Sequence, residues 1–234
     1  MNIRKLQQNN TFTRVAPFAL FMVFIALEEA LRNPNIKDLF HFSDSVILCL
    51  YPIKALSTGL LILMFRRNYT ELHWQDLGKL PATLLSLAVG IIVFILWIQM
   101  DWPWATIGTS GGYNPTLMSE NFTYYLLIVF RIVGAALIVP IMEELFWRSW
   151  LLRYLISKDF QCVEIGRFSL SSFLIGAIMF GLEHNLWLAG IMAGVCYNIL
   201  LYRTRSIAQC ILAHAVTNFM LGLYVLQTGR WEFW

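Results

Sequence analysis

Charged residues are scarce in this chain. They make up 13% of the 234 residues, while hydrophobic residues make up 58%. Soluble domains average about 25% charged and about 45–50% apolar residues. The composition excludes a disordered chain and a coiled coil, and the long apolar blocks indicate an integral membrane protein embedded in a lipid bilayer. The net charge of +3 is small and the basic residues lie between apolar blocks, so we expect no nucleic-acid partner.

Cysteine is also rare, and its spacing excludes two further classes of protein. The four cysteines, Cys49, Cys162, Cys196 and Cys210, form no CxxC pair, and three of them lie in apolar runs. The pattern argues against a disulfide-stapled secreted module and against a cysteine metal site. We interpret these residues as small buried hydrophobes.

Seven apolar stretches are long enough to be membrane helices, since a helix needs about 20 mostly apolar residues to cross the hydrocarbon core. They are residues 14–31, 44–65, 82–100, 121–154, 170–186, 188–203 and 206–226. The sequence shows no internal repeat and no linker. We therefore predict an all-α polytopic transmembrane bundle of about seven helices, with residues 1–234 as a single domain. The first stretch has no small-x-small cleavage site after it and ends at Glu28-Glu29, so we interpret it as a span and not as a signal peptide.

The distribution of lysine and arginine predicts the orientation. With a cytoplasmic N-terminus, eleven basic residues are cytoplasmic: Arg4, Lys5, Arg14, Arg66, Arg67, Lys79, Arg153, Lys158, Arg167, Arg203 and Arg205. Three are outside: Arg32, Lys37 and Arg230. This bias follows the positive-inside rule and places the C-terminus outside. Because the chain shows no retention or targeting motif, we expect a bacterial inner membrane.

The ionisable residues inside the apolar stretches are the candidates for function, because each costs about 2.5–3.5 kcal/mol at the centre of a membrane helix. Glu143 and Glu144 stand together in PIMEELFWRSW. Glu144 and Arg148 are four residues apart and are predicted to pair on one helix face. Glu143 then points elsewhere, toward a polar cavity that a kink at Pro140 would help to open. The alternative is a structural ion pair at a helix end.

Two histidines complete the candidate set. His184 follows Phe180 by four residues, and His214 precedes Asn218 by four residues, so each pair shares a helix face. Two histidines and two carboxylates on separate helices can activate a water molecule. They can equally bind a divalent metal ion such as Zn²⁺, through Glu143, His184 and His214. The HExxH motif of many zinc proteases is absent, and the residues alone leave the choice open.

The remaining charged residues in the apolar stretches receive structural interpretations. We expect Arg131 to pair with Glu183, and Lys54 to pair with Glu28 or Glu29. Cys210 precedes His214 by four residues, but residues stacked along one helix face rarely reach attack geometry, so we do not interpret it as a nucleophile.

Three motifs on successive helices resemble those of the CPBP intramembrane proteases. They are EExxxR at Glu143, Glu144 and Arg148, FxxxH at Phe180 and His184, and HxxxN at His214 and Asn218. The CPBP group includes the CAAX prenyl endopeptidases of the Rce1 type and the bacterial Abi proteins. The resemblance covers roughly Tyr124 to Leu226, which makes residues 121–226 the predicted protease-like core. The chain also resembles the exosortase-associated branch of CAAX-protease-related proteins.

The resemblance implies an endopeptidase that cuts a peptide bond in a membrane-anchored peptide or protein. Carried over by position, Glu143 is the general base and His184 assists it. His214 and Asn218 stabilise the oxyanion, while Glu144 and Arg148 hold the site together. The resemblance does not require a prenylated substrate or decide between zinc and metal-free chemistry, and the sequence leaves the oligomeric state open.

Two other functions remain compatible with the residues. In a transporter, the same glutamates and histidines would relay protons or bind cations, although the chain has no repeats of the transporter type. In a non-catalytic partner protein, the helix faces would bind another membrane protein.

Overall fold

The computed structural model describes residues 8–33, 43–108, 112–118 and 121–234. Within these ranges the protein is helical and has no β-strand, which confirms the predicted all-α class. Three of the basic residues that predict the orientation lie outside the described residues: Arg4, Lys5 and Lys37.

Seven main helices correspond to the seven predicted stretches. They are α1 (Asn10–Arg32), α2 (Leu50–Phe65), α3 (Leu80–Trp97), α4 (Phe122–Tyr154), α5 (Leu170–Leu182), α6 (Trp187–Thr204) and α7 (Ile207–Thr228). A short helix, Asp44–Leu48, precedes α2. Short 3₁₀ turns occur in the connections.

Helix α4 departs from the α-helical hydrogen-bonding pattern in two places along its length. The α-helical segments Phe122–Val133, Val139–Glu144 and Leu152–Tyr154 alternate with two π-helical segments, Gly134–Ile138 and Leu145–Leu151. Pro140 lies two residues after the end of the first π segment and lacks the backbone N–H that an α-helix would use there. The two wide turns therefore flank the Glu143-Glu144 pair, which is the kind of position where π-bulges are frequent in proteins.

Four helices in the described ranges are long and apolar enough to cross a membrane: Ser45–Asn68, Leu80–Trp97, Phe122–Tyr154 and Ile207–Thr228. Side chains such as Leu56, Leu60 and Leu63 on α2 are exposed, as expected for a surface that faces lipid. Helix α5 has 13 residues, or about 20 Å, which is too short to span the hydrocarbon core alone. The structure thus confirms a membrane helical bundle, while the exact number of seven spans stays a prediction.

The helices alternate in direction. Near the ends of α1 and α4, Arg14 Nε donates to Ser149 Oγ at 3.1 Å. At the other end of α1, Lys54 Nζ lies 2.8 Å from Glu28 Oε2, which confirms that predicted pair. One turn further along α1, Phe18 stacks on Phe146, which precedes Ser149 on α4, with ring centroids 3.8 Å apart. Helices α1 and α4 are therefore antiparallel. We call the two ends of the bundle the Arg153 end and the Arg131 end, after residues near the opposite ends of α4.

A buried ion network closes the Arg153 end. Arg14 is 1% exposed, and its guanidinium binds both carboxylate oxygens of Glu71 at 2.9 and 2.6 Å. Glu71 also accepts a short hydrogen bond from Ser149. Burial alone would raise the pKa of Glu71, but the hydrogen bond and charge of Arg14 outweigh it and hold that pKa below its usual value. The network attaches α1 and the loop after α2 to α4 at the Arg153 end.

The loop before α3 fixes the start of α7. Ser206 Oγ donates to Asp76 Oδ2 at 2.6 Å, and Gln209 Nε2 donates to the Asp76 carbonyl at 2.8 Å. Hydrogen bonds from Lys79 and Ser206 lower the pKa of Asp76 below its ordinary value. His214 lies about two turns after Ser206 along α7, so these contacts help to fix the position of His214 along the bundle axis.

Helices α3 and α7 run parallel and pack closely at Gly90. Thr217 Oγ1 donates to the Gly90 carbonyl at 2.8 Å. A Cβ atom at Gly90 would lie 2.5 Å from the Ala213 carbonyl oxygen and 2.9 Å from Val216 Cβ. The absence of a side chain at Gly90 therefore permits the approach of the helix that carries His214.

Replacing Gly90 with alanine is expected to lower stability by roughly 1–3 kcal/mol, because the added methyl group forces the two helices apart. Alanine is the better helix former, so helix propensity alone predicts the opposite change. Thermal unfolding of the purified protein in detergent measures the effect. Gly78→Ala is the matched control, since nothing lies within 4 Å of the added Cβ atom there. Equal melting temperatures for Gly90→Ala and wild type would contradict the packing argument.

Candidate active site

The structure brings the six predicted site residues together from three parts of the chain. Helix α4 supplies Glu143, Glu144 and Arg148, the turn between α5 and α6 supplies His184, and α7 supplies His214 and Asn218. The cavity wall includes four of them: Glu143, His184, His214 and Asn218. The other two, Glu144 and Arg148, are buried behind the wall.

Glu144 is the centre of the buried part of the site. Arg148 Nη1 lies 3.1 Å from Glu144 Oε1, which confirms the predicted pair. The same oxygen lies 2.9 Å from His214 Nδ1. Arg148 is held in turn by Asn198 Oδ1, which accepts from its Nε at 3.2 Å, and by the ring of Phe180, whose centroid is 4.4 Å from its guanidinium carbon. One carboxylate thus connects α4 to α7.

His214 lies between the two glutamates. Its Nδ1 contacts Glu144, and its Nε2 lies 3.9 Å from Glu143 Oε2. The imidazole stacks on Tyr197 with ring centroids 5.0 Å apart. Tyr197 is fixed because its hydroxyl donates to Thr217 Oγ1 at 2.8 Å. The ring of His214 therefore has one nitrogen bound to a buried carboxylate and the other directed toward Glu143.

His184 reaches the cavity because α5 ends early. The helix stops at Leu182, four residues before the end of the predicted stretch, so His184 belongs to the following turn and not to the face of a helix. Its Nδ1 lies 2.7 Å from the Phe180 carbonyl oxygen, and the two rings are 4.9 Å apart. A carbonyl can only accept, so Nδ1 carries the proton and Nε2 keeps its lone pair.

Asn218 links α7 to the first π segment of α4. Its Nδ2 donates to the Ala135 carbonyl at 2.9 Å. That carbonyl belongs to a wide turn. One amide hydrogen is used in this contact, and the second N–H of the side chain remains for the cavity.

The cavity itself has a volume of about 360 Å³ and extends from Glu143 and His184 to Arg131 and Lys54. Glu143 is 4% exposed, and its Oε2 is buried without a hydrogen-bond partner. An orphaned buried carboxylate oxygen normally indicates a bound water molecule or ligand. Glu144 also has an unpartnered oxygen, Oε2, but Glu144 does not line the cavity.

Glu183 belongs to the cavity although it was predicted to be structural. The predicted pair between Arg131 and Glu183 is wrong within the described residues, because Glu183 Oε2 accepts from Trp147 Nε1 at 3.0 Å. Arg131 and Trp147 are 16 residues apart on α4, or about 24 Å. Because Glu183 is bound to Trp147, its carboxylate cannot also reach Arg131. The adjacency of Glu183 to His184 was the one available signal for its place in the site.

The three predicted metal donors have the chemistry of zinc ligands. Glu143 has a free oxygen, and His184 and His214 each direct a ring nitrogen away from its anchored partner, as zinc ligands do. Within the described ranges, however, no group of three His, Cys, Asp or Glu residues could hold a metal ion.

Comparison with protein families identifies the part of the chain that holds this site. Residues 125–220 match the family described as type II CAAX prenyl endopeptidase Rce1-like. This part of the chain is similar to the Rce1-like family. The match covers 96 of the 234 residues and includes all six predicted site residues. The Rce1-like family is one of CAAX intramembrane proteases, so this part of the chain is similar to a membrane protease family.

The other comparisons add no relatives. A search among curated proteins and a search among solved structures each found no match to the chain.

Removing the charge of Arg148 is expected to destabilise the Rce1-like part of the chain strongly. In Arg148→Met the Glu144 carboxylate stays buried without its cation, which typically costs about 3–5 kcal/mol. The double variant Glu144→Gln/Arg148→Met leaves no uncompensated charge and should recover part of the loss. Thermal unfolding in detergent measures all three proteins. Arg203→Met, at an exposed position, is the control, and a melting temperature of Arg148→Met equal to that of this control would refute the role.

Proposed function

We propose that the protein is an intramembrane endopeptidase that hydrolyses a peptide bond of a membrane-associated substrate with a water molecule activated by Glu143. The observation that carries the proposal is the orphaned Glu143 Oε2, which lies in the cavity wall opposite His214 Nε2. These atoms are 3.9 Å apart, so a water molecule on the cavity side of the pair can hydrogen-bond to both. The match to the Rce1-like family supports a protease over a transporter or a non-catalytic partner protein.

Glu143 acts as the general base in this mechanism. It takes a proton from the water as the water oxygen attacks the carbonyl carbon of the substrate, which forms a tetrahedral intermediate. The protonated Glu143 then donates the proton to the leaving amine as the carbon–nitrogen bond breaks. His184 assists through Nε2, the ring nitrogen that its contact with Phe180 leaves free.

His214 and Asn218 stabilise the oxyanion. The Glu144 carboxylate holds the His214 ring at Nδ1 and turns Nε2 toward the cavity, where it is one donor to the oxyanion. The second N–H of Asn218 is the other donor. Donors held in a buried cavity stabilise developing charge more strongly than donors in water. Glu144 and Arg148 act as positioning residues, since they set the orientation of His214.

The substrate in this proposal is a peptide or protein anchored in the bilayer. A cavity of about 360 Å³ accommodates a short extended segment of peptide but not a folded domain. The proposal retains the predicted orientation, with a cytoplasmic N-terminus, an external C-terminus and a bacterial inner membrane. No step requires a prenyl group or a metal ion, although Glu143, His184 and His214 would be the ligands if Zn²⁺ took part.

Cleavage by purified protein tests the proposal. The protein in liposomes is mixed with a library of membrane-anchored peptides, and the released fragments are identified by mass spectrometry. Glu143→Gln and His184→Ala should each reduce the rate, and the loss for Glu143→Gln should reach about a hundredfold or more, because a general base contributes roughly 10²–10⁴-fold. Each protein is assayed with and without a chelator, which separates zinc chemistry from metal-free chemistry.

Glu164→Gln is the matched control for Glu143→Gln, since Glu164 is exposed and outside the cavity. It should cleave at the wild-type rate. Undiminished cleavage by Glu143→Gln would reject Glu143 as the base. Absence of cleavage by wild type across the library would count against the protease function.

A further inference from the structure

The turn that carries His184 is attached to α4 by a side-chain hydrogen bond. Glu183 Oε2 accepts from Trp147 Nε1 at 3.0 Å. Glu183 directly precedes His184, and Trp147 follows Glu143 by four residues on α4. No other hydrogen bond among the described residues joins this turn, residues 183–186, to α4. The contact therefore connects the two parts of the chain that act together on one water molecule in the proposed mechanism.

His184 depends on contacts of this kind because it lies between two helices. Helix α5 ends at Leu182 and α6 begins at Trp187, so no regular helical hydrogen bonding holds the residue. Its Nδ1 contacts the Phe180 carbonyl, and its ring lies edge-on to Trp97 with centroids 5.3 Å apart. Phe180 belongs to α5 and Trp97 to α3. Neither contact directly sets the distance from His184 to the helix that carries Glu143.

Trp147 provides a fixed anchor for the turn. Its side chain is buried, with the residue 4% exposed. The indole packs between Phe18, Phe146 and Phe180, with ring centroids 5.7, 4.9 and 5.7 Å away. A buried indole N–H normally has a hydrogen-bond partner, and here that partner is Glu183. Because the surrounding rings fix the direction of the N–H, the carboxylate and the turn behind it are held in one place.

We propose that the hydrogen bond between Trp147 and Glu183 positions His184 beside Glu143, which makes Trp147 and Glu183 positioning residues for peptide cleavage. The inference rests on the proposed protease function and adds two residues to its site. Trp147 is at most about 6 Å from Glu143 along the axis of α4, so the contact fixes the turn at the level of the base. Misplacement of a catalytic group by about 1 Å can cost about a hundredfold in rate. Trp147 does not line the cavity and therefore acts through His184.

Two variants break the contact and a third retains it. Trp147→Phe removes the indole N–H but keeps an aromatic ring, and Glu183→Met removes the acceptor but keeps a side chain of similar length. Glu183→Gln retains a carbonyl oxygen that accepts the same hydrogen bond.

Each disruptive variant has a matched control. Trp150→Phe is the control for Trp147→Phe, because Trp150 Nε1 is buried on the same helix without a hydrogen-bond partner. Glu164→Met is the control for Glu183→Met, because Glu164 is exposed and outside the cavity.

Cleavage kinetics give the first readout, with the membrane-anchored peptide that the wild-type protein cleaves fastest. Trp147→Phe and Glu183→Met should each lower kcat by about tenfold to a hundredfold. KM should stay nearly unchanged, since the lost contact orients a catalytic group and does not bind the peptide. The double variant should lose no more than the weaker single variant, because both changes remove one interaction. Glu183→Gln should recover most of the rate, and both controls should cleave as wild type does.

The ring nitrogens of His184 give a second readout that needs no substrate. Protein with isotope-labelled histidine is studied by nitrogen NMR in detergent micelles, and His184→Ala assigns the signals. In the wild-type contact with Phe180, Nδ1 carries the proton and Nε2 does not, so the two signals should be well separated. In Trp147→Phe and Glu183→Met they should move toward each other, because a released ring exchanges between its two tautomers. In Glu183→Gln and both controls they should stay in place.

Three results would overturn the positioning role: equal kcat for Trp147→Phe and Trp150→Phe, losses that multiply in the double variant, or His184 signals that stay in place when the contact is broken. A merely structural contact predicts a lower melting temperature with kcat and the His184 signals unchanged below it. If the wild-type protein cleaves no peptide, the proposed function fails and the nitrogen signals alone decide whether the contact fixes His184. Cleavage with unmoved signals leaves the protease function standing and rejects this inference alone.

Discussion

The buried carboxylate of Glu144 is the interaction on which the site depends. It binds Arg148 on its own helix and His214 on α7, so a single group both neutralises a buried cation and orients a histidine. Removing such charges from water costs several kcal/mol per ion, and the cost is offset only where the geometry and the remaining hydrogen bonds are good. Asn198 and the ring of Phe180 complete the environment of Arg148. The same contacts that stabilise the pair leave Glu143 free to face the cavity.

Two departures from regular helical structure give the site its shape. The π segments of α4 enclose Glu143 and Glu144, and the first of them presents the carbonyl that binds Asn218. Helix α5 is too short to cross a membrane, so the turn after it places Glu183 and His184 inside the bundle. In water-free surroundings every polar backbone group needs a partner, and such irregular segments are tolerated where they line a cavity or are buried in protein.

The two ends of the cavity carry different chemical groups. At one end a carboxylate and two histidines surround an orphaned oxygen, and at the other a guanidinium lies among aromatic rings. Both ends lie on α4, whose 33 residues make it the longest of the four described helices that are long and apolar enough to cross a membrane. Sharing one continuous helix keeps the distance between the two ends nearly constant. Helices α1 and α2, which lie outside the Rce1-like match, supply part of the wall through Glu28, Tyr51 and Lys54.

The sequence by itself determined the membrane class, the seven helices and the short-range pairs, because hydropathy and i,i+4 spacing are local properties. It therefore predicted the pairing of Glu144 with Arg148, and its three motifs contain the six residues of the candidate site. Only the tertiary structure decided which ends of helices meet. The sequence suggested that Glu183 and Arg131 would pair, but the structure binds Glu183 to Trp147, and no described carboxylate forms an ion pair with Arg131. The reason is the position at which α5 ends within the bundle. That position depends on the packing of α5 against α4 and α6, and no local sequence pattern encodes it.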